Sequence, residues 1–141
     1  MRVSRVLFLP AMVIICATPV MAHHAAQAQF DTTKLIVLTG VLTKMEWINP
    51  HAYMHVDVKE KSGRVTSWDL ETVGPQALRR AGLRRGEGSI KVGDAYTFRA
   101  FPGRDGTKTA LIADLKMPDG RVVTLLNVAE LQLPKDFQVP K

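Results

Sequence analysis

The sequence predicts a mainly β protein, an OB-like antiparallel barrel of five or six strands with one short helix between the third and fourth strands. Beyond residue 34 the chain divides into short segments of alternating apolar and polar residues, bounded by turn-forming residues, a pattern typical of strands. A single helical segment follows the third of them. This order suits a small sheet that curls closed, although an open or sandwich-like sheet crossed by one helix fits the same pattern.

Residues 1–22 have the pattern of a secretory signal peptide. Two arginines precede an apolar stretch over residues 6–17, and small residues precede a cleavage site after Ala22. The apolar stretch is shorter than the roughly 20 residues that a spanning helix needs. We therefore expect cleavage after Ala22, with Ala28 as the second candidate, and a periplasmic or secreted protein without a stable membrane anchor.

Cleavage after Ala22 leaves 119 of the 141 residues, which is enough for one compact domain. The only cysteine, Cys16, leaves with the signal peptide, which excludes thiol and disulfide chemistry in the mature chain. The net charge falls from +6 to +4, with 17 basic and 13 acidic residues remaining. The densest basic cluster, residues 78–86, suits an anionic partner or a solvated helix end, and no nucleic acid partner is expected outside the cytoplasm.

The β domain is expected over residues 35–130, after an extended lead segment over residues 23–34. Residues 35–47 form its first strand, in which Gly40 indicates a bulge or a tight bend. Residues 52–59 form the second strand and alternate cleanly between apolar and polar side chains. The apolar face of this second strand consists of Ala52, Met54, Val56 and Val58.

The pairing of the second strand with the third, residues 65–72, follows from register. The apolar faces coincide only if the connecting loop has an odd number of residues. A three-residue loop of Lys61, Ser62 and Gly63 satisfies this, with glycine at the left-handed position. The inner pairs are then Val56–Trp68 and Met54–Leu70. The outer pairs, which are candidates for a ligand-binding face, are Tyr53–Glu71 and His55–Asp69.

The remaining elements follow from their turn residues. Pro75 suits the first position of a helix of about two turns, and Gly82 suits its end. The later strands are separated by the Asp105-Gly106 and Asp119-Gly120 steps, which are typical of hairpins. The C-terminal tail, residues 131–141, contains two prolines and is expected to be loosely ordered.

The histidines suggest a copper site. Cleavage after Ala22 would give His23 a free α-amino group, and this group chelates a metal together with the imidazole of the same residue. A second histidine completes a three-nitrogen site suited to Cu(II), similar to the histidine brace of secreted copper proteins and copper oxidases. His51 and His55 would lie about 13 Å apart along a strand, too far to share an ion. His51, after the Asn49-Pro50 turn, is the preferred partner, so the metal candidates are His23, His24 and His51.

Each of these residues also has a purely structural interpretation. The terminal histidines are then polar residues of the lead segment, and the Asn49–His51 stretch is a turn. His55 with Asp69 is then a surface pair. Catalysis is disfavoured because the mature chain has no thiol, no Gly-x-Ser-x-Gly elbow and no phosphate-binding glycine loop. No catalytic residue is assigned.

Several motifs together resemble one family. They are AHH at 22–24, EWINPHAYMHVDV at 46–58, Trp68, GPQAL at 74–78, KVGD at 91–94 and RDG at 104–106. This set is similar to a family of small secreted bacterial proteins, the domain of unknown function 6152. The resemblance covers nearly the whole mature chain. It implies a secreted, OB-like single domain, and it carries no activity.

Two functions of different class follow from the sequence. The first is a non-catalytic periplasmic binding module whose outer barrel face contacts a small ligand, an envelope component or a partner protein. The second is a copper-binding protein using His23 with His51. A copper-dependent oxidase is a further variant of the second, and it would also require turnover with a reductant and oxygen or peroxide.

Overall fold

Alternating strands close into a barrel in the computed structural model, which describes residues 26–86 and 89–126. The elements in chain order are β1 (Ile36–Glu46), β2 (Tyr53–Lys59), β3 (Val65–Glu71), α1 (Pro75–Arg80), β4 (Ala95–Pro102), β5 (Thr109–Lys116) and β6 (Val122–Thr124). The strand order is β3-β2-β1-β4-β5-β6, with a further pairing between β3 and β5. That pairing closes the first five strands, so the OB-like prediction is confirmed and the open-sheet alternative is not observed.

The closing pair is parallel, whereas the other pairs are antiparallel. The barrel is therefore mixed rather than wholly antiparallel as predicted. The reason is the number of strands, because four antiparallel pairs in a closed ring of five strands leave the fifth pair, β3–β5, parallel. The parallel contact is short and involves three residue pairs that begin at Asp69 and Thr109.

The predicted register of β2 and β3 is confirmed at every pair. Val56 lies opposite Trp68 and Met54 opposite Leu70, while His55 lies opposite Asp69 and Tyr53 opposite Glu71. The loop also has the predicted length, because Glu60 and Arg64 are joined by a backbone hydrogen bond of 2.8 Å. Gly63 has a φ of +87°, the left-handed conformation that this position requires.

Strand β1 has two irregular features, at Gly40 and just after it. A Cβ on Gly40 would lie 2.6 Å from the carbonyl oxygen of Asp57, so glycine permits β2 to approach closely. The irregularity in pairing lies between Leu42 and Lys44 rather than at Gly40 itself. The bend predicted at Gly40 is therefore a close approach, and the bulge follows it.

The barrel interior is the main hydrophobic core, and α1 contributes Leu78 to it. A second cluster lies outside the barrel on β4 and β5. It consists of Phe101, Leu111 and Ala113, covered by Phe30 and packed against Ala26, Leu35 and Leu126. We call this covered outer surface of β4 and β5 the sealed face. Since Phe30 also bridges to Gly103, the chain before β1 is part of the fold.

The lead segment differs from the extended conformation predicted for it. Residues 26–29 form a helical turn. Arg104 fixes the end of this turn by donating from Nε to the carbonyl oxygens of Gln27 and Phe30, at 2.9 and 3.1 Å. Burial of Phe30 against β4 and β5 sets this conformation, and tertiary packing of this kind overrides local preference.

Several predictions fall on residues that the structure does not describe. The signal peptide, His23, His24 and the tail at 131–141 lie outside the described residues. Among the described residues, no helix combines the length and the apolar character that crossing a membrane would require.

Candidate functional site

The outer surface of β1, β2 and β3 carries polar side chains in two cross-strand rows. Glu46, Tyr53 and Glu71 form one row, because Tyr53 is paired with both of the others. Lys44, His55 and Asp69 form the next row in the same way. We call this surface the polar face. Period-2 alternation places these six residues outside because their strand neighbours Met54 and Leu70 are buried in the barrel.

His55 links the two neighbouring strands through both of its ring nitrogens. Its Nδ1 lies 2.6 Å from an oxygen of Asp69, and its Nε2 lies 3.3 Å from an oxygen of Glu46. The backbone of His55 is held as well, because Thr43 donates its hydroxyl to the His55 carbonyl at 3.0 Å. The predicted His55–Asp69 pair is therefore in contact, and Glu46 joins it as a third member.

Glu46 is also paired with Lys44, which forms a short ion pair with the same oxygen that faces His55. Hydrogen bonding and charge from Lys44, followed by the contact with His55, lower the pKa of the Glu46 carboxyl below its ordinary value. Glu46 is consequently a carboxylate at neutral pH, and Lys44 and His55 both contact the same one of its oxygens.

Glu71 is the centre of the other group on the polar face. Its carboxyl is largely buried, and its two oxygens have different partners. Tyr53 donates its hydroxyl to Oε2 at 3.3 Å, and Nδ1 of His51 lies 2.5 Å from Oε1. Burial raises the pKa of Tyr53, and the charge of Glu71 adds to the effect. The hydroxyl of Tyr53 therefore stays protonated and donates to the carboxylate.

The β1–β2 loop, residues 47–52, positions His51 at the edge of the polar face. The loop packs on the start of α1 so tightly that a Cβ on Gly74 would lie 2.4 Å from the Pro50 carbonyl oxygen. The hydrogen bond from the Thr72 amide to the Ala52 carbonyl, at 2.9 Å, fixes the end of the loop beside β3. The side chain of His51 remains 50% exposed while it contacts Glu71.

The β4–β5 loop, residues 103–108, reaches the polar face at Asp69 of β3. The Asp69 amide donates to the carbonyl of Lys108 at 2.9 Å. The ammonium of Lys108 lies 5.1 Å from the ring centroid of Trp68, a cation–π contact. Trp68 also packs against the barrel core, in agreement with a structural role for this ring.

Of the three predicted metal ligands, His51 lies among the described residues. His51 and His55 contact different carboxylates, so each ring has its own separate environment. Within residues 26–86 and 89–126, no group of three or more His, Cys, Asp or Glu side chains is arranged to hold a metal ion. Because His23 and His24 are not described, their participation with His51 stays a prediction.

Sequence reasoning missed two contacts of the site. The link from His55 to Glu46 depends on the bulge that shifts the β1–β2 register between Leu42 and Lys44. The link from His51 to Glu71 depends on the path of a loop, which alternation does not determine. The signal that could have found the first link was the position of Glu46 near the end of a strand that pairs with the start of β2.

Among comparisons with known proteins, the chain matches one family model. The family model described as a family of unknown function (DUF6152) matches residues 11–113, which is more than half of the chain. No curated protein and no solved structure matches the chain. The matched range includes β1 to β4, α1 and the whole polar face. The chain therefore belongs to the family of unknown function DUF6152.

Proposed function

We propose that the protein is a non-catalytic periplasmic binding module whose polar face takes a small ligand that donates hydrogen bonds. One observation carries the proposal: the acceptor groups of three adjacent strands are held in fixed orientations by hydrogen bonds and ion pairs with neighbouring side chains. His55 orients Asp69 and Glu46, at 2.6 and 3.3 Å. Side chains that are locked in this way are pre-organised, which reduces the entropy cost of binding.

The position of the face within the barrel supports the same function. OB folds bind oligonucleotides and oligosaccharides on the face of strands 2 and 3, between the β1–β2 and β4–β5 loops. Here β2 and β3 carry the polar groups, and His51 and Lys108 bring those two loops to Glu71 and Asp69 of β3. This support is an analogy of fold, and the chemistry of the ligand has to come from the side chains.

The charges of the face indicate the class of ligand. Its carboxylates, Glu46, Asp69 and Glu71, outnumber its single lysine, although the whole chain carries a net charge of +6. Ionised carboxylates only accept hydrogen bonds, so a suitable ligand supplies hydroxyl or ammonium groups. A polyanion such as nucleic acid would meet like charge at close range.

The contacts of the histidines support a binding role rather than catalysis. In a serine-type hydrolase one nitrogen of the histidine faces the nucleophilic hydroxyl and the other faces a carboxylate. In the described chain both nitrogens of His55 face carboxylates. This ring therefore orients acceptors and has no nitrogen facing a nucleophilic hydroxyl.

Amide chemical-shift perturbation tests the proposal with two matched probes. The trimer of glucosamine offers hydroxyl and ammonium groups, and the trimer of N-acetylglucosamine offers hydroxyls without the charge. We expect saturable shifts confined to residues 46–57 and 67–71, with tighter binding of the charged trimer. Asp69→Asn should weaken that binding by about tenfold, the order of one charge-assisted hydrogen bond.

Asp119→Asn is the control, because Asp119 is an exposed carboxylate on the turn before β6. Its removal should leave both affinities unchanged. Equal losses from the two substitutions would show that the probe responds to net charge alone. Absence of saturable shifts on the polar face with either trimer would contradict the proposal.

A second candidate function, copper binding through His23 and His51, rests on a different observation. Histidines that ligate metals usually donate their other ring nitrogen to a carboxylate, which fixes the ring. His51 has this arrangement, since Nδ1 lies 2.5 Å from Glu71 and Tyr53 holds the other oxygen of that carboxylate. The arrangement leaves Nε2 as the ligating atom.

The path of the chain is compatible with that pairing. Ala26 packs against the cluster that contains Leu111, and Leu111 is paired with Glu71 across the β3–β5 contact. Three residues of extended chain reach about 10 Å. The described chain thus begins on the side of the barrel where Glu71 holds His51, which supports a site that includes His23.

Copper binding is tested on protein purified from the periplasm. Intact mass should give a chain that begins at His23, and Cu(II) titration should give a stoichiometric electron paramagnetic resonance signal from nitrogen ligands. Adding one glycine before His23 should abolish the site because it moves the amino group from its ring, and His51→Ala should weaken it. A chain beginning at Gln29, or binding unaffected by both changes, would contradict this candidate.

A further inference from the structure

A groove lies at the end of the barrel where β1 leads into the β1–β2 loop. It is lined by Met45, Trp47, Arg85, Ile90 and Val92, and we call it the Trp47 groove. Successive side chains of a strand point to opposite sides, so Met45 and Trp47 face away from the side on which Glu46 joins the polar face. The groove is therefore a separate feature from that face.

The far wall of the groove belongs to the connection between α1 and β4, and backbone bonds hold it in place. The amide of Ile90 donates to the Arg84 carbonyl at 3.0 Å, and the amide of Gly86 donates to the Ile90 carbonyl at 3.1 Å. The buried hydroxyl of Tyr96 accepts from the Lys91 amide at 2.9 Å. Arg85 and Ile90 are thus fixed relative to β4, and the groove is part of the fold.

The groove is bordered by apolar side chains that the barrel does not bury. Val92 is 53% exposed, and Ile48, the neighbour of Trp47, is 49% exposed. Trp47 and Met45 are only partly buried and pack on the core with their inner sides. Exposed apolar side chains that cluster around a concavity indicate a binding surface, whereas single ones do not.

Arg85 gives the groove its charge. Its guanidinium carbon lies 5.5 Å from the centroid of the Trp47 ring, a cation–π contact. The guanidinium stays charged and carries five N–H donors, so it can also bind an anion. Arg84 and Lys91, which are both exposed, add positive charge on either side of the wall.

We propose that the Trp47 groove binds a small amphiphilic carboxylate, with its apolar chain against Met45, Trp47 and Ile90 and its carboxylate on Arg85. The volume of the groove is about 270 Å³. This lies just below the ~300–1,000 Å³ of ordinary small-molecule sites, so it suits a medium-length fatty acid better than a large lipid. The proposal is independent of the ligand of the polar face.

Tryptophan fluorescence tests it with three probes of similar chain length and different head group, which are decanoate, decanol and decyltrimethylammonium. The two ionic probes are kept below their micelle concentrations and decanol is kept below its solubility limit. The variant Trp68→Phe leaves Trp47 as the reporting ring. Decanoate should shift the emission of Trp47 saturably, and decanol should bind at least about tenfold more weakly, the order of one charge-assisted contact. Decyltrimethylammonium should bind most weakly.

Arg85→Gln should weaken the binding of decanoate by about tenfold and leave the binding of decanol unchanged. Arg64→Gln, an exposed arginine on the β2–β3 turn, is the matched control and should change neither. If Trp68→Phe perturbs the fold, amide shifts of residues 90–92 in the unsubstituted protein report the same titration. Equal affinity for all three head groups, equal effects of the two arginine substitutions, or no saturable signal would overturn the proposal.

Discussion

The outer surface of the barrel is apolar on β4 and β5 and polar on β2 and β3. On the sealed face, β4 and β5 present Phe101 and Leu111, and Phe30 covers them. On the polar face, β2 and β3 present His55 and Asp69, which remain open to solvent. Each face has cross-strand contacts of its own, but within residues 26–86 and 89–126 only the sealed face is covered by another segment. The difference separates side chains that are buried under that segment from side chains that stay accessible.

Truncating Phe30, which covers the sealed face, should cause the largest loss in the free energy of unfolding. Phe30 is 1% exposed, and truncation of a fully buried phenylalanine costs about 3–5 kcal/mol. We expect Phe30→Ala to lower the free energy of unfolding in urea by that amount. Val37→Ala, on an exposed position of β1, should cost well under about 1 kcal/mol.

A loss at Phe30 no larger than at Val37 would mean that residues 26–35 lie on the barrel without stabilising it. The sealed face would then be open in solution, and the contrast between the two faces would disappear. The Arg104 bonds to the carbonyls of Gln27 and Phe30 argue for the larger loss because they fix the same segment.

The ion pair beside the sealed face should also contribute more to the free energy of unfolding than the ion pair on the polar face. Arg99 binds Asp114 through two nitrogens beside the sealed face, and the Asp114 side chain is 7% exposed. Hydrogen bonding to Asp114 raises the pKa of Arg99. Hydrogen bonds to a buried charged group contribute about 2 kcal/mol, so Asp114→Asn should lower the unfolding free energy by roughly that amount.

Asp69→Asn provides the comparison on the polar face. The Asp69 side chain is 60% exposed, and exposed pairs contribute less than about 1 kcal/mol. Urea unfolding of the two variants should therefore separate them clearly. If Asp69→Asn is as costly as Asp114→Asn, the polar network is a structural element, and the binding role that we propose for it loses its support.

The sequence determined the β2–β3 pair well because two constraints acted together. Alternation assigned the faces of β2 and β3, and loop parity with Gly63 left one register, so the placement of His55 opposite Asp69 followed. The helical turn in the lead segment was missed for the converse reason. The residues around Phe30 in the sequence do not indicate what its side chain packs against. The helical turn at 26–29 forms because Phe30 packs against Phe101 of β4 and Leu111 of β5.

The candidate site was predicted to the same extent and for the same reason. The four outer residues of β2 and β3 were found because they share one register. Glu46 was not joined to His55 in advance because the bulge between Leu42 and Lys44 changes which β1 residues face outward. His51 was assigned to a metal or a turn, and its contact with Glu71 depends on packing of the loop against Gly74.

The smallest effect, and the one most specific to the polar face, is the titration of Glu46. Lys44 holds the pKa of this carboxyl below its ordinary value of 4.5. Because the pKa is lower in the folded chain, the pair stabilises the fold above the unfolded pKa, and this stabilisation is lost as the pH falls through the folded pKa. Lys44→Met should move the carboxyl ¹³C titration midpoint of Glu46 upward, and Lys116→Met, an exposed lysine on β5, should leave it in place. A midpoint that is the same with and without Lys44 would contradict the assignment of the lowered pKa to this lysine, and the lysine would then contribute nothing to the charge balance of the polar face.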